Sequence, residues 1–101
     1  ILPLEVTPRH VYNQYVIRAK KNRDKLRGFL SENNISTEIY YPLPLHLQDC
    51  FTFLGYKKGA FPESEKAAND TIALPIFPEL TQAQLIYVTE KIDEFINKNS
   101  I

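Results

Sequence analysis

The segment covering residues 39–48 constrains the fold of this chain more than any other, because it carries two prolines two positions apart. Pro42 and Pro44 each fix φ, lack a backbone N–H donor and disfavour helical geometry at the preceding residue. The segment must therefore run as a rigid extended loop. It either contacts a ligand or merely bridges a strand and a helix with its tyrosines half buried. Its candidate ligand-binding side chains are Tyr40, Tyr41 and His46.

The composition predicts one globular domain. Of the 101 residues, 44% are hydrophobic and 24% are charged, which is typical of a folded chain, and this length is enough for one hydrophobic core. Twelve basic residues balance twelve acidic ones, which argues against binding to nucleic-acid phosphates. No apolar run is long enough to cross a bilayer. We therefore expect neither nucleic acid nor a membrane as a partner.

The cysteine and methionine counts indicate the redox compartment of the chain and its place in a longer protein. The only cysteine, Cys50, has no intramolecular disulfide partner, so the chain is consistent with a reducing, cytoplasmic environment. We expect Cys50 to be a packing residue. The chain has no methionine and starts without a signal-peptide pattern. We expect residues 1–9 to be a linker or the truncated end of a preceding element, and residues 10–101 to be the C-terminal domain of a longer protein.

Aromatic and β-branched residues predict a first strand over residues 10–18. Alternation along this strand places Asn13 on the same face as Val11, Tyr15 and Ile17. A buried amide needs hydrogen-bond partners. They are either backbone groups across the sheet or groups of a bound ligand, and both interpretations are open.

Two elements follow. Leucine and phenylalanine at helical spacing predict a helix from about Arg23 to Glu32, with Asn22 as its N-cap. Asn33 and Asn34 suit its end, because asparagine tolerates the left-handed conformation. A second strand is predicted over Ser36–Tyr40, leading into the proline segment.

The second half of the chain continues this alternation. An amphipathic helix is predicted from about Leu47 to Gly55, with apolar positions Leu47, Cys50, Phe51 and Leu54. A further helix over Glu63–Asp70 precedes a short strand, Thr71–Leu74, that Pro75 ends. Thr81 and Gln84 form a capping box for the last helix. Its apolar stripe comprises Leu85, Val88, Ile92, Phe95 and Ile96. The order predicts an α+β fold, a small antiparallel or mixed sheet of about three strands with helices covering one face.

The sequence lacks a complete set of catalytic groups. His10 and His46 alone define no metal site, the three glycines form no phosphate loop, and the eight lysines lie mostly in charged stretches. We therefore expect no catalytic, cofactor-binding or metal site within this chain. The candidate contact residues are Asn13, Gln14, Tyr40, Tyr41, His46 and Arg18.

Five blocks of sequence are similar to the C-terminal region of the DegT/DnrJ/StrS family of pyridoxal-phosphate-dependent sugar aminotransferases. They are HVYNQYVIR from His10, TEIYYPLPLHLQDCF from Thr37, LGY from Leu54, FPESEKAAND from Phe61 and IALPIFPELTQAQLIYV from Ile72. The likeness runs in order from His10 to Phe95. One departure is Asn33-Asn34-Ile35-Ser36, which stands where relatives carry a glycine-containing turn. Asparagine can adopt the same left-handed conformation, so we expect the turn to survive.

The resemblance implies an aspartate aminotransferase small domain whose parent transfers an amino group, usually from glutamate, to a nucleotide-linked keto sugar. It implies that pyridoxal phosphate (PLP) is bound by a large domain of the same parent and that the parent is a homodimer. It also implies that this chain lines the nucleotide-sugar cleft through Tyr41, His46 and Asn13. Tyr40, beside Tyr41 on the proline segment, is the fourth residue that we expect to bind substrate. The rival hypothesis is a noncatalytic sugar-binding or regulatory module on the same fold.

Overall fold

The chain folds as two strands and three α-helices over residues 1–99, the part that the computed structural model describes. The elements are β1 (Tyr15–Arg18), α1 (Arg23–Glu32), two 3-10 segments (Leu45–Leu47 and Asp49–Leu54), α2 (Pro62–Asp70), β2 (Thr71–Leu74) and α3 (Gln82–Asn99). The predicted α+β class is confirmed. No helix among these residues is both long enough and apolar enough to span a bilayer.

The sheet is an antiparallel pair of strands distant in sequence. Tyr15 lies opposite Leu74 and Arg18 opposite Thr71, so β1 and β2 pair along their whole lengths. Because side chains alternate along a strand, Ala73 and Leu74 point to opposite faces. Leu74 packs towards α1 and α3, whereas Ala73 and its partner Val16 line a groove. The sheet therefore separates the hydrophobic core from the groove.

Helices α1 and α3 form the core against one face of this sheet. The central cluster of buried side chains is Leu26, Leu30, Ile35, Val88 and Phe95. Leu30 is fully buried, and burying a leucine side chain contributes about 1.5–3 kcal/mol. In the predicted stripe of α3, Val88 and Phe95 are buried, but Leu85 and Ile96 remain exposed.

The predicted first strand is too long at its start. It begins at Tyr15 and not at His10, because Tyr12 has a φ of 45° and donates its backbone N–H to Nδ1 of His10 at 2.9 Å. These two features bend the chain away from extended geometry. Gln14 would also have to pair opposite Pro75, which has no N–H to donate. Asn13 therefore lies in an exposed loop and not on the apolar face of a strand.

The predicted second strand, Ser36–Tyr40, is reduced to one bridge in the described residues. Glu38 and Ala73 exchange two backbone hydrogen bonds, of 3.1 and 2.8 Å. Continued pairing would place Ser36 opposite Pro75 and Tyr40 opposite Thr71. Pro75 lacks the donor, and the carbonyl of Thr71 instead accepts a 2.9 Å bond from the Arg23 guanidinium. On either side of Glu38, no other residue of the described segment therefore pairs with β2.

The predicted helix after the proline segment is also wrong, because this region forms two 3-10 segments. Gln48 adopts extended geometry between them, and the hydroxyl of Thr52 donates to the carbonyl of Asp49 at 2.8 Å. Gly55 ends the second segment with a φ of 77°. Cys50 is exposed, so the prediction that it is a packing residue is wrong for this chain.

The predicted helix ends agree with the structure in most details. Thr81 and Gln84 exchange the two hydrogen bonds of a capping box, at 2.9 and 3.2 Å. Asn34 adopts the left-handed conformation expected after α1, with a φ of 60°. Asn22 occupies the N-cap position of α1 but makes no side-chain capping bond, because it is itself left-handed. It caps the helix through its backbone carbonyl, which accepts a hydrogen bond from the backbone N–H of Leu26.

Candidate functional site

A groove of about 400 Å³ lies on the sheet face opposite the core. We call it the larger groove because it is the larger of two adjoining grooves. Val16 and β2 contribute from the sheet, Ala67 and Ala68 contribute from α2, and the proline segment contributes Tyr40 and Tyr41. Its lining is completed by Gln14, Glu38, Pro44, Leu45, Ser64, Thr71, Ile72 and Ala73. The lining is therefore mostly apolar. Its polar side chains are those of Gln14, Glu38, Tyr40, Tyr41, Ser64 and Thr71.

A smaller groove of about 260 Å³ adjoins it. The two grooves share Glu38, Tyr40 and Ala73 as common lining residues. The smaller groove adds Asn13 from the loop before β1, together with Ser36, Thr37, Leu74, Pro75, Ile76 and Phe77. The bend at Tyr12 and the bridge at Glu38 thus place separate parts of the chain around one pair of grooves.

The structure brings three of the four predicted substrate-binding residues to these grooves. Tyr41 is 70% exposed and Tyr40 is 47% exposed, and both line the larger groove. Asn13 reaches the smaller groove from an exposed loop. Gln14, another predicted contact residue, lines the larger groove. The assignment of these residues to substrate stays a prediction.

His46, the fourth predicted residue, lines neither groove. Its side chain is buried, and Nε2 lies 2.9 Å from Oε1 of Glu65. A carboxylate only accepts hydrogen bonds, so the imidazole presents Nε2–H as the donor. The same carboxylate oxygen accepts the backbone N–H of Gly59 at 2.6 Å. Substrate contact by His46 stays a prediction, and in this structure its imidazole is bonded to α2.

We call this arrangement of His46, Gly59 and Glu65 the loop clamp. The hydrogen bond from His46 lowers the pKa of Glu65, and the N–H of Gly59 lowers it further. The edge of the Phe61 ring packs against the imidazole with centroids 4.9 Å apart, and Tyr56 packs on Phe61 at 4.8 Å. The clamp ties both ends of the loop between the proline segment and α2 to one carboxylate.

Arg18, a further candidate contact, holds the fold instead. Its guanidinium donates two hydrogen bonds of 2.9 Å to the carboxylate of Asp70, and this pairing raises the pKa of Arg18. The bond joins the end of β1 to the end of α2. Arg18 borders a separate apolar groove behind the sheet and neither of the two grooves described above.

Glu38 is the groove residue that our sequence analysis missed. It is exposed, it lines both grooves, and its backbone is held by the bridge to Ala73. The signal was present, because the predicted strand Ser36–Tyr40 would place Glu38 and Tyr40 two residues apart on one face. The two-residue spacing along the predicted strand was therefore enough to place the side chain of Glu38 beside that of Tyr40.

The grooves can bind a ligand but do not hold a complete reaction centre. No lysine lines either groove, and within residues 1–99 no three His, Cys, Asp or Glu side chains form a metal site. The lysines with recorded partners bind carboxylates instead: Lys66 binds Glu63, and both Lys91 and Lys98 bind Glu94. The groove residues offer aromatic hydroxyls, amides and one carboxylate.

Comparison with known proteins identifies relatives of the whole chain. The model of the DegT/DnrJ/EryC1/StrS aminotransferase family matches residues 1–93. A pleiotropic regulatory protein of Geobacillus stearothermophilus is 57% identical over 96 residues, which is 94% of this chain and 26% of that relative. A dTDP-3-amino-3,6-dideoxy-alpha-D-galactopyranose transaminase of Aneurinibacillus thermoaerophilus is 31% identical, over 85% of this chain and 23% of that relative.

A solved structure shares the fold. The crystal structure of S. venezuelae DesV in complex with a ketimine intermediate superposes with a TM-score of 0.85 at 29% identity. The match covers 93% of this chain and 25% of that chain. The present chain thus spans about a quarter of the length of the relatives it matches.

Proposed function

The chain belongs to the DegT/DnrJ/EryC1/StrS aminotransferase family, and from this premise we propose that it acts as the small C-terminal domain of a nucleotide-sugar aminotransferase. The parent would transfer an amino group from glutamate to a keto sugar linked to a nucleoside diphosphate. Residues 10–101 would form the small domain, and residues 1–9 the linker from a large domain. Transaminases of dTDP-linked and UDP-linked sugars among the relatives support this substrate class.

The observation that carries the proposal is the larger groove beside Tyr40 and Tyr41. Both rings are exposed at its rim, and the rigid proline segment fixes their backbone. Small-molecule sites combine apolar walls with a few placed polar groups, and this groove has that composition. We propose that Tyr40, Tyr41 and Asn13 contact the nucleotide sugar, and that His46 supports them by holding the loop.

The cofactor that the family uses does not fit the described residues alone. PLP chemistry needs a lysine that forms a Schiff base, and no lysine lines either groove. We therefore propose that a large domain of the same parent binds PLP and that this chain lines the substrate side of the cleft. No catalytic step is assigned to residues of this chain.

Two further properties belong to the same proposal. The exposed apolar side chain of Leu43, on the proline segment but outside both grooves, supports contact with the large domain and with a second subunit of a homodimer. A cytoplasmic location is supported by the single cysteine, which suits a reducing compartment.

The test is a transamination assay on the full-length parent. The protein is incubated with ¹⁵N-glutamate and a panel of dTDP-linked and UDP-linked 3-keto and 4-keto sugars. Transfer of ¹⁵N to one sugar, with 2-oxoglutarate formed in equal amount, is the expected result. A reaction without keto sugar serves as the control. No transfer from glutamate to any sugar of either nucleotide class would contradict the proposal.

A second candidate function is a noncatalytic sugar-binding or regulatory module. The observation that favours it is the relative at 57% identity, which carries the name pleiotropic regulatory protein. The two functions differ in the parent sequence before residue 1. A Schiff-base lysine and an aspartate for the pyridine nitrogen would be present in an aminotransferase. Their absence, together with binding of a nucleotide sugar without turnover, would favour the regulatory module.

A further inference from the structure

The two grooves contain one charged side chain, and it is negative. Glu38 lines both, whereas no lysine, arginine or histidine of the described chain lines either. The arginine on the other face of the sheet, Arg18, is bonded to Asp70. The guanidinium of Arg23 is hydrogen-bonded to the carbonyls of Ala68 and Thr71 and is not among the groove-lining side chains. Among the described lining residues, a ligand therefore meets Glu38 as the one charged side chain.

The carboxylate of Glu38 is held in place yet available. Its backbone exchanges two hydrogen bonds with Ala73, which fixes the Cα position at the sheet edge. Within residues 1–99 no hydrogen bond or ion pair occupies its side chain. Tyr40, two residues further on, lines the same two grooves. A free carboxylate thus lies beside an aromatic ring at the groove rim.

A nucleotide sugar has two chemically different parts that could occupy such a place. Its diphosphate is anionic and would be repelled by the unpaired carboxylate at the groove rim. Its sugar ring is uncharged and carries hydroxyl donors that a carboxylate accepts well. The ring also has C–H faces that pack on aromatic side chains. The charge and the tyrosines both favour the sugar ring over the diphosphate.

We propose that the larger groove takes the uncharged sugar ring and that Glu38 determines specificity by accepting a hydrogen bond from a ring hydroxyl. This inference rests on the proposed function, because it divides the nucleotide sugar between the two domains. The volume of about 400 Å³ is at the lower end for small-molecule pockets and suits one ring better than a whole nucleotide sugar. The diphosphate lies outside this groove, against cations that the rest of the parent supplies.

The test is calorimetric binding to the full-length protein, so that it does not depend on turnover. The probes are dTDP against dTDP-glucose, and UDP against UDP-N-acetylglucosamine. For each pair, the ratio of the two dissociation constants measures what the sugar adds to binding. The variants are Glu38→Ala, which removes the acceptor, and Glu38→Gln, which keeps an acceptor oxygen without the charge. Glu90→Ala, at an exposed carboxylate on α3 away from both grooves, is the matched control.

We expect Glu38→Ala to reduce the sugar's contribution to affinity by about tenfold, because a hydrogen bond to a charged group is lost. Glu38→Gln should reduce the sugar's contribution to affinity by less, and Glu90→Ala should leave it unchanged. Binding of the nucleoside diphosphate alone should be unchanged by all three substitutions. Circular dichroism of each variant confirms that the fold is intact.

Three outcomes would overturn the inference. Tighter binding of dTDP or UDP in both Glu38 variants would place the diphosphate, and not the sugar, beside this carboxylate. If the sugar's contribution to affinity is unchanged in both variants, Glu38 takes no part in recognising the sugar. If the wild-type protein binds dTDP-glucose and UDP-N-acetylglucosamine no better than dTDP and UDP, the groove does not bind the sugar. Failure of transamination with this binding pattern preserved would contradict the proposed function alone.

Discussion

The hydroxyls of Tyr40 and Tyr41 are the free polar groups of the proline segment. Neither hydroxyl forms a hydrogen bond with another residue between positions 1 and 99. The prolines that follow fix the backbone direction, so both rings stay at the groove rim without being buried. An exposed, unpaired phenol on a rigid segment costs the fold little and remains available to a ligand.

Removing the hydroxyl of Tyr41 tests its contact with substrate. In the full-length parent, Tyr41→Phe should lower kcat/KM for the keto sugar by about 100-fold, because an orienting hydrogen bond is lost while the ring is kept. Tyr56→Phe is the matched control, since Tyr56 lies outside both grooves and packs on Phe61 through its ring. Steady-state kinetics measure the effect. Equal kinetics in both variants would make Tyr41 a packing residue.

The loop clamp predicts a local response to acid. His46 and Gly59 stabilise the ionised form of Glu65, so its pKa is lower in the folded chain than its ordinary value of 4.5. A lowered pKa means that the clamp contributes stability above pH 4.5 and loses this contribution as the pH falls through the folded pKa. The loop should therefore loosen below pH 4.5 and not above it.

Nuclear magnetic resonance of the Gly59 amide follows this transition. We expect its chemical shift to titrate below pH 4.5 in the wild type and to lose that step in Glu65→Gln. Glu94→Gln is the control, because Glu94, with a pKa of about 2, binds Lys91 and Lys98 on α3 far from the loop. A Gly59 titration that persists in Glu65→Gln would disprove the clamp.

Among the elements, α1 and α3 determine whether the groove exists, because they cover the other face of the sheet. Leu30 is fully buried between them, and the left-handed Asn34 turns the chain so that Ile35 joins the same core. The hydroxyl of Tyr87 on α3 also donates to the carbonyl of Asn33 at 3.1 Å. The end of α1 is therefore held by side chains from a distant part of the chain.

Truncating Leu30 measures how much this packing contributes. Leu30→Ala should lower the free energy of unfolding by about 2–5 kcal/mol, because it leaves a cavity in a fully buried site. That loss is a large part of the 5–15 kcal/mol typical of a whole domain. Leu85→Ala on α3 is the control, since Leu85 is 41% exposed despite its place in the apolar stripe. Urea denaturation measures both, and equal losses would contradict the described core.

On the scale of the whole molecule, many large apolar side chains are exposed to solvent. Around the proline segment, Leu43 and Leu45 are exposed together with both tyrosines, and beyond it Phe53 is 79% exposed. Leu2, Leu4 and Val6 are also exposed, near the N-terminus. A folded monomer rarely leaves so many large apolar groups in water.

The 101-residue chain by itself should therefore self-associate. We expect sedimentation velocity at micromolar concentration to show a dimer, because pairing two copies buries the apolar surface of the proline segment. Leu45→Lys with Phe53→Lys should return the chain to a monomer by placing charge on that surface. The control is Ile86→Lys, at an exposed position on α3. A wild-type chain that remains monomeric would show that this surface needs no partner.

Local sequence alone determined α1 and the start of α3. The bounds of α1, the capping box at Thr81 and the left-handed Asn34 follow from interactions within a few residues. Tyr40 and Tyr41 could be chosen as candidates because proline restricts its own neighbours in any context. The rigidity of their backbone needed no tertiary information, whereas their exposure did.

Only the tertiary structure decided what depends on distant partners. Whether Ser36–Tyr40 forms a strand depended on Pro75 and on the Arg23 guanidinium, which leave pairing only at Glu38. Whether His46 faces solvent or α2 depended on Glu65, nineteen positions away. Hydrogen-bond partners across such separations are set by packing, which alternation and helical spacing do not encode. The sequence thus determined α1, the capping box of α3 and the choice of the two tyrosines as candidates, and the tertiary structure determined their exposure, the groove and the place of Glu38 in it.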